Sequence, residues 1–480
     1  MTVKIKKVDD LSIQIVTDNR AYIADIKDFF TDYVEGFRFM PRYKQGGWNG
    51  KISMFTSNNT LPFGLLFDVI LFHKKLYKDL DLSIDQDVKE FFTGIDVDPD
   101  YDLNIFPRPY QLECIETCLK YRSGLVVAAT ASGKSVTITY IIKTLFNTNN
   151  ISKALIIVPT INLVTQFHAD MIDYGIDEDQ IGRVYSKLKE FDKPIVISTW
   201  QTLIKNMDKL SDFDCVICDE VHISKAKSVQ DILKHCNNTK FRYGFTGTMP
   251  LTKLDIWNIK SYLGPILKTF GSSELAEQGY ISYCTVNLIN IDYNDLEKYK
   301  GEYNDVKDMI FTNENRLKYI HKTLQNLDGN VLVLVGKVEK EGKILKDYLD
   351  KHNTNGKEIV FIYGDTKIEE REYWRLEMGK RNNIILIATY QLFQLGINAP
   401  SLKYMLFASP FKSKIRTLQS IGRTLRKHDS KDQAIIYDLV DMVDYLEDHG
   451  MRRRKFYEYE KFTINEINKH ENELILNSII

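Results

Sequence analysis

The chain is poor in cysteine, in net charge and in long apolar runs. Six cysteines in 480 residues exclude a disulfide scaffold. Cys215 and Cys218 form a CxxC inside a strand-like apolar run. No second CxxC follows to complete a four-ligand zinc set, so both read as core residues. Cys114 and Cys118, one helical turn apart, read the same way. No stretch approaches the ~20 apolar residues of a membrane-spanning helix, and Met1 to Lys6 lacks a signal-peptide core. The expectation is a protein with no membrane partner, from a reducing, cytoplasmic setting. With 64 Lys and Arg against 65 Asp and Glu the net charge is −1. That balance does not advertise nucleic-acid binding, but binding needs only a local basic surface. Such a segment exists: from Ser401 to His428 there is no Asp or Glu, but there are Lys403, Lys412, Lys414, Arg416, Arg423, Arg426 and Lys427.

What is present is ample for packing. Hydrophobic residues make up 44% and aromatics 12%, and the length suggests about three domains at ~150 residues each. The first 95 residues mix patterns: strand-like Val3 to Val16, helix-like Ala21 to Val34, then an aromatic, basic, glycine-rich segment from Gly36 to Lys51. Strand-like Ile52 to Phe55 and the turn Ser57-Asn58-Asn59 follow. The acidic run Ile95 to Asp100, with Pro99, reads as a linker. Strands and helices then alternate. β-rich runs fall at Leu125 to Ala129, Ala154 to Val158, Ile195 to Ser198, Cys215 to Cys218 and Tyr243 to Phe245. A second series falls at Val331 to Val335, Ile359 to Tyr363, Ile384 to Ala388, Tyr404 to Ala408 and Ala434 to Leu439. This is an α/β rhythm, with parallel sheets covered by helices on both faces. The expected division is 1–95 (α+β), 96–275, 276–450 and a charged helical tail, 451–480.

The chemistry-bearing motifs lie just after strands, where open α/β sheets place ligands. Ala128 to Ser135 leads from strand to helix and ends Gly133-Lys134-Ser135. Backbone N–H groups at Thr130, Ala131, Ser132 and Gly133 suit phosphate. Lys134 would reach the β- and γ-phosphates and Ser135 would ligate Mg²⁺. The usual first glycine of such a loop is replaced by Ala128. Asp219-Glu220-Val221-His222 ends a buried-strand pattern. Asp219 is assigned to the metal and Glu220 to the attacking water. Arg423 and Arg426, three apart, would share a helix face and neutralise charge on the transferred phosphoryl group. Arg108, Tyr110 and Gln111 are candidates for holding adenine, Gln111 through its amide.

Gln111, Gly133-Lys134-Ser135, Asp219 to His222, Thr246-Gly247-Thr248 and Gln419 to Arg426 occur in the order found in superfamily 2 DExH-box helicases, which this chain resembles from about Phe106 to His428. The resemblance implies two RecA-like lobes in tandem, ATP and Mg²⁺ as cofactors, and Gln419 and Gly396 near the nucleotide. It implies nucleic-acid contacts at Pro159, Thr160, Gln166, Thr199, Gln201, Lys337, Gly364 and Thr389. Thr246 and Thr248 would couple ATP state to lobe movement, with His222 in the hydrolytic set. Asn398 stands where many relatives carry Asp. Thr160 and Thr199 also fit as helix caps.

The N-terminal segments Gly36-Phe37-Arg38-Phe39, Trp48-Asn49-Gly50-Lys51 and Leu61 to Leu65 resemble the start of the phage UvsW recombination and repair helicases. Arg38, Arg42, Lys44 and Lys51 are candidates for phosphate contact, and Phe39, Tyr43 or Trp48 for stacking. An aromatic mini-core with solvated lysines is the competing reading. The implied function is an ATP-dependent DNA helicase remodelling branched DNA, in host cytoplasm if phage-encoded. It would act as a monomer, with single-strand-binding or recombination proteins as partners. The alternatives are an RNA-directed helicase and a non-hydrolysing junction-binding protein.

Overall fold

The computed structural model describes all residues except 1, 101, 223–226, 295–300, 355, 395–400, 429–430 and 471–480. The chain divides into two compact units. One comprises 1–128 and 133–269, the other 129–132 and 270–480.

Among the described residues the first unit holds a four-stranded, a two-stranded and an eight-stranded sheet. Near the N-terminus, four strands run in the order Thr60–Pro62, Ser12–Val16, Thr2–Lys7, Asp81–Ile84. The apolar pattern expected as one strand from Val3 to Val16 is a hairpin, with Lys4 opposite Val16 and Lys7 opposite Ile13. The break is local chemistry: Asp9 accepts from the Leu11 N–H at 2.8 Å, making an Asx turn. The following helix, Arg20–Phe29, is capped by Asn19, whose side chain accepts from Tyr22 N–H. It stops short of the expected Val34 because Thr31–Tyr33 pairs antiparallel with Lys51–Ser53. Those short strands frame the Gly36 to Lys51 segment.

The N-terminal core does not end at its own sheet. Val3, Ile5, Tyr22, Ile26, Phe30 and Phe72 pack in one buried cluster with Leu254 and Trp257, which belong to the helix Lys253–Leu263. Lys260 on that helix pairs with Asp68 at 2.6 Å. Gly64 lies so close that a Cβ there would sit 1.8 Å from the Lys260 carbonyl oxygen. The N-terminal sheet is therefore docked on the larger one.

That larger sheet has the order Leu188–Lys189, Ile181–Tyr185, Ile195–Thr199, Ala154–Val158, Cys215–Asp219, Phe241–Thr246, Ser123–Ala128, Ile266–Phe270. Its central strands are parallel. Ala154–Val158 and Cys215–Asp219 are buried at every residue, as expected of strands covered on both faces. Burial pushes the Cys215 and Cys218 thiols well above their ordinary pKa. Neither offers a ready thiolate.

The second unit is built on a seven-stranded sheet ordered Glu358–Ile362, Ile384–Thr389, Val331–Val335, Tyr404–Phe407, Gln433–Asp441, Tyr283–Asp292, Thr463–His470, with every neighbouring pair parallel. The stretch expected as a helical tail is helix only to Tyr459. It then forms the edge strand, with Thr285 opposite Thr463 through Asp292 opposite His470. Its sequence, TINEINKH, is too polar to carry the apolar run of a buried strand. Two buried arginine pairs brace this unit. Arg316 holds Asp441 at 2.8 Å with both side chains fully buried, and Arg453 holds Asp438 at 2.8 Å.

Candidate functional site

Gly133 caps the helix Lys134–Asn147 in the left-handed conformation, φ 75°. Ala131 also has a positive φ, 71°. Alternating left-handed residues in a loop turn backbone N–H groups to one side, the geometry of an anion cradle. Gly133 is needed for space as well, because a Cβ there would lie 2.5 Å from Gln111 Nε2. Gln111 itself is buried. Its Oε1 accepts from Arg108 N–H at 2.8 Å and its Nε2 donates to the Gly133 carbonyl at 3.3 Å. The amide thus ties the Arg108 turn to the phosphate loop. Arg108 donates to the Tyr110 hydroxyl at 3.3 Å, so the three expected adenine-side residues form one connected group.

Asp219 is the last residue of the strand Cys215–Asp219. Glu220 follows with φ 54°, a left-handed conformation that costs about 1–3 kcal/mol for a residue with a side chain. Lys134 Nζ lies 3.4 Å from Glu220 Oε1. On the other side, His222 Nδ1 lies 3.4 Å from Glu220 Oε2 and 3.5 Å from Thr246 Oγ1. Thr246 Oγ1 donates to the Thr248 carbonyl at 3.0 Å and accepts from Thr248 N–H at 3.2 Å. A continuous polar chain therefore runs from Lys134 through Glu220 and His222 to Thr246 and Thr248.

The two carboxyls diverge electrostatically. Burial, followed by the neighbouring Glu220 charge, raises Asp219. Burial alone would also raise Glu220, but Lys134 and His222 outweigh it and hold that carboxyl below its usual range. Glu220 is kept ionised and able to polarise water. Asp219 Oδ1 is buried with no hydrogen-bond partner. A buried carboxylate oxygen without a donor fits a cation ligand. The Ser135 hydroxyl is within 3.0 Å of the Tyr174 hydroxyl, a partner that no motif announces.

Elsewhere in the first unit, Thr160 caps the helix Ile161–Asp173 by accepting from Leu163 N–H, and Gln166 is exposed on that helix. Gln201 donates to the Pro159 carbonyl at 3.4 Å, joining the two loops. Thr199 is at the N-cap of the short helix Trp200–Leu203 and bonds Thr202 at 3.0 Å. In the second unit, Lys337 pairs with Asp308 at 3.3 Å, Gly364 accepts from Arg371, and Thr389 accepts from Leu392 N–H at 3.4 Å. Gly396 and Asn398 lie outside the described residues. Arg423 and Arg426 do not share a helix face. The helix Lys414–Thr424, which carries Gln419, ends before Arg426. Leu425 accepts from Ser282 N–H at 2.8 Å and Arg426 forms a bridge with Ile281. Pairing with that segment pulls the chain out of helix. Arg423 lies over the Phe393 ring at 5.7 Å.

In the N-terminal segment Arg38, Arg42 and Lys44 are exposed. Lys51 lies 4.9 Å from the Tyr33 ring centre. Trp48 donates its indole N–H to the Lys51 carbonyl at 2.8 Å and is half-buried, so its one polar group is committed within the segment.

Two parallel-sheet units, a strand-to-helix phosphate loop and an acidic pair wired to a Thr-Gly-Thr turn define a superfamily 2 helicase. Three family models match in order: DNA helicase UvsW, N-terminal, over 2–85; type III restriction enzyme, res subunit, over 104–251; and helicase conserved C-terminal domain over 314–428. The chain belongs to the UvsW family of ATP-dependent DNA helicases. It is 30% identical over 502 residues to ATP-dependent DNA helicase uvsW of Enterobacteria phage T4, covering 96% of this chain and 98% of that one. The crystal structure of T4 UvsW is 27% identical, covers 98% of this chain and all of that one, and gives a TM-score of 0.48. A fragment of a putative HsdR subunit of a type I restriction enzyme from Vibrio vulnificus YJ016 shares the fold, with a TM-score of 0.59 at 17% identity over 77% of this chain and 70% of that one.

Proposed function

We propose that this ATP-dependent DNA helicase remodels branched DNA, driving fork regression, branch migration of four-way junctions and unwinding of displacement loops. The observation that carries this reading is the N-terminal unit. The domain that carries this basic, aromatic segment and the UvsW N-terminal pattern is packed through Trp257 and Lys260 onto the helix Lys253–Leu263 of the ATPase fold. DNA held there moves with the nucleotide site's own scaffold. Lys134 and the loop N–H groups hold the phosphates. Ser135 and Asp219 hold Mg²⁺, which supplies charge neutralisation at the phosphates when bound. Glu220 orients and polarises the attacking water. Exposed Gln166 and Gln201, with Thr160, are proposed to track the strand.

The test is ATPase stimulation and unwinding across forks, four-way junctions, blunt duplexes and RNA forks. Preference for branched DNA is expected. Equal rates on blunt duplex and junction would remove the branch-specific reading. Lys134→Ala should abolish DNA-stimulated ATPase while leaving DNA binding in place; retained turnover would overturn the site assignment.

A further inference from the structure

Tyr174 belongs to none of the motifs, yet its hydroxyl lies 3.0 Å from the Ser135 hydroxyl, and the main chain around it is fixed. It stands at the C-cap of the helix Ile161–Asp173. Gly175 N–H donates to the Ile172 carbonyl at 2.9 Å and Ile176 N–H to the Met171 carbonyl at 3.0 Å, the paired bonds of a Schellman motif. Gly175 takes φ 101°, and a Cβ there would lie 3.1 Å from Asn104 Nδ2. Asn104 in turn donates its N–H to the Tyr174 carbonyl at 2.8 Å. The next residue, Ile105, accepts from the Tyr140 hydroxyl. Tyr140 is fully buried on the helix Lys134–Asn147, whose first turn carries Ser135. The contacts close a ring from Ser135 through Tyr140, Ile105, Asn104 and Tyr174 back to Ser135. Backbone anchors on two elements thus hold the phenol beside the phosphate loop.

The chemistry of a hydroxyl ligand gives this neighbour a task. A serine hydroxyl carries one proton and two acceptor lone pairs. To ligate Mg²⁺, Ser135 must present a lone pair to the ion and send its proton elsewhere. The Tyr174 oxygen is an acceptor at hydrogen-bond distance, so that proton has a fixed destination. Asp219, the other proposed ligand, ends a strand buried at every residue. The Ser135 hydroxyl, by contrast, turns about a single bond, and orientation is what a neighbour can supply. Groups placed behind a metal ligand orient it in this way, and their loss typically costs about 10–100-fold in metal affinity or activity.

We infer that Tyr174 is a positioning residue of the ATPase site: it accepts the Ser135 proton and turns that hydroxyl's lone pair towards Mg²⁺. The inference rests on the proposed assignment of Ser135 to the metal. Its test measures binding of a fluorescent, non-hydrolysable ATP analogue, first in EDTA and then across a Mg²⁺ titration. Wild type, Tyr174→Phe, Ser135→Ala and the double variant are compared. Tyr174→Phe keeps the ring and every backbone anchor and loses one oxygen, and thermal melting checks that the fold is intact. It should leave affinity in EDTA at the wild-type level and raise the Mg²⁺ concentration at half-effect roughly tenfold or more. DNA-stimulated ATPase should show the same displacement and approach the wild-type rate at saturating Mg²⁺. In the Ser135→Ala background Tyr174→Phe should add nothing, because it acts through that hydroxyl. An unmoved Mg²⁺ midpoint in Tyr174→Phe, or a matching loss of affinity in EDTA, would overturn the inference alone where Ser135→Ala still shifts the midpoint. A wild-type midpoint in Ser135→Ala would instead sink the metal assignment beneath it.

Discussion

Glu220 shows what a single position reveals and conceals. Its chemistry is legible in the sequence, since an acidic pair after an apolar strand points to metal and water. Its left-handed φ of 54° and its grip by Lys134 and His222 depend on residues distant in the chain. The same holds for Tyr174 beside Ser135, which belongs to no phosphate or metal motif and lies 39 positions away. His222 gives the sharpest prediction at this scale. It joins the Glu220 carboxylate to Thr246, the start of the Thr-Gly-Thr turn. A hydrogen bond to a charged group contributes about 1.5–3 kcal/mol, roughly ten- to a hundredfold in an equilibrium. His222→Ala should therefore reduce unwinding by that order while nucleotide binding, proposed to rest on Lys134 and the loop, stays near wild type. Parallel titrations with a fluorescent nucleotide and a fork assay check this; an equal loss in both would show that His222 only holds the site together.

At the level of elements, the buried parallel strands were the legible part, because strands covered on both faces must be apolar throughout. The edge strand Thr463–His470 was not, since backbone pairing to Tyr283–Asp292 defines it more than side-chain burial. Helix Asp444–Tyr459 precedes it and carries two groups whose importance a charged pattern hides. Arg453 is fully buried, bonding Asp438 through two nitrogens and the Phe411 carbonyl at 2.6 Å. Arg453→Met would strand Asp438 without its countercharge and should cost about 3–5 kcal/mol in urea denaturation, with Arg453→Met/Asp438→Leu recovering much of it. His449, one turn earlier, is buried and its pKa is brought down to about 4, first by burial and then by Lys412 and Arg453. A histidine depressed in the folded state leaves the unfolded chain binding more protons between about 4 and 6.5. Stability should thus be full above pH ~6.5 and fall as pH drops towards 4. His449→Gln should flatten that part of the stability–pH curve, as read by thermal melting across the range.

Across the whole molecule, a net charge of −1 means DNA affinity cannot come from bulk attraction. It must come from surfaces where cations outnumber acids. Some cations are already neutralised: Asp308 engages both Lys337 and Lys340, and its carboxyl is held below the ordinary range mainly by those lysines against the opposing effect of burial. Arg38, Arg42 and Lys44 are exposed and make no ion pair among the described residues, so they bring undiminished charge to phosphate. Each phosphate neutralised on duplex DNA releases counterions and adds roughly 0.9 to the slope of log affinity against log salt. Replacing Arg38, Arg42 and Lys44 together with Gln should lower that slope by about 2–3. Affinity should fall most at low salt and converge on the wild type as salt rises. The same substitutions should leave the nucleotide affinity of the free protein unchanged, because the polar chain from Lys134 to Thr248 does not involve them. Fluorescence anisotropy with a forked duplex over a salt series measures both the slope and the convergence. An unchanged slope would mean that these three cations are solvated in the complex and that the DNA path lies over other parts of the chain.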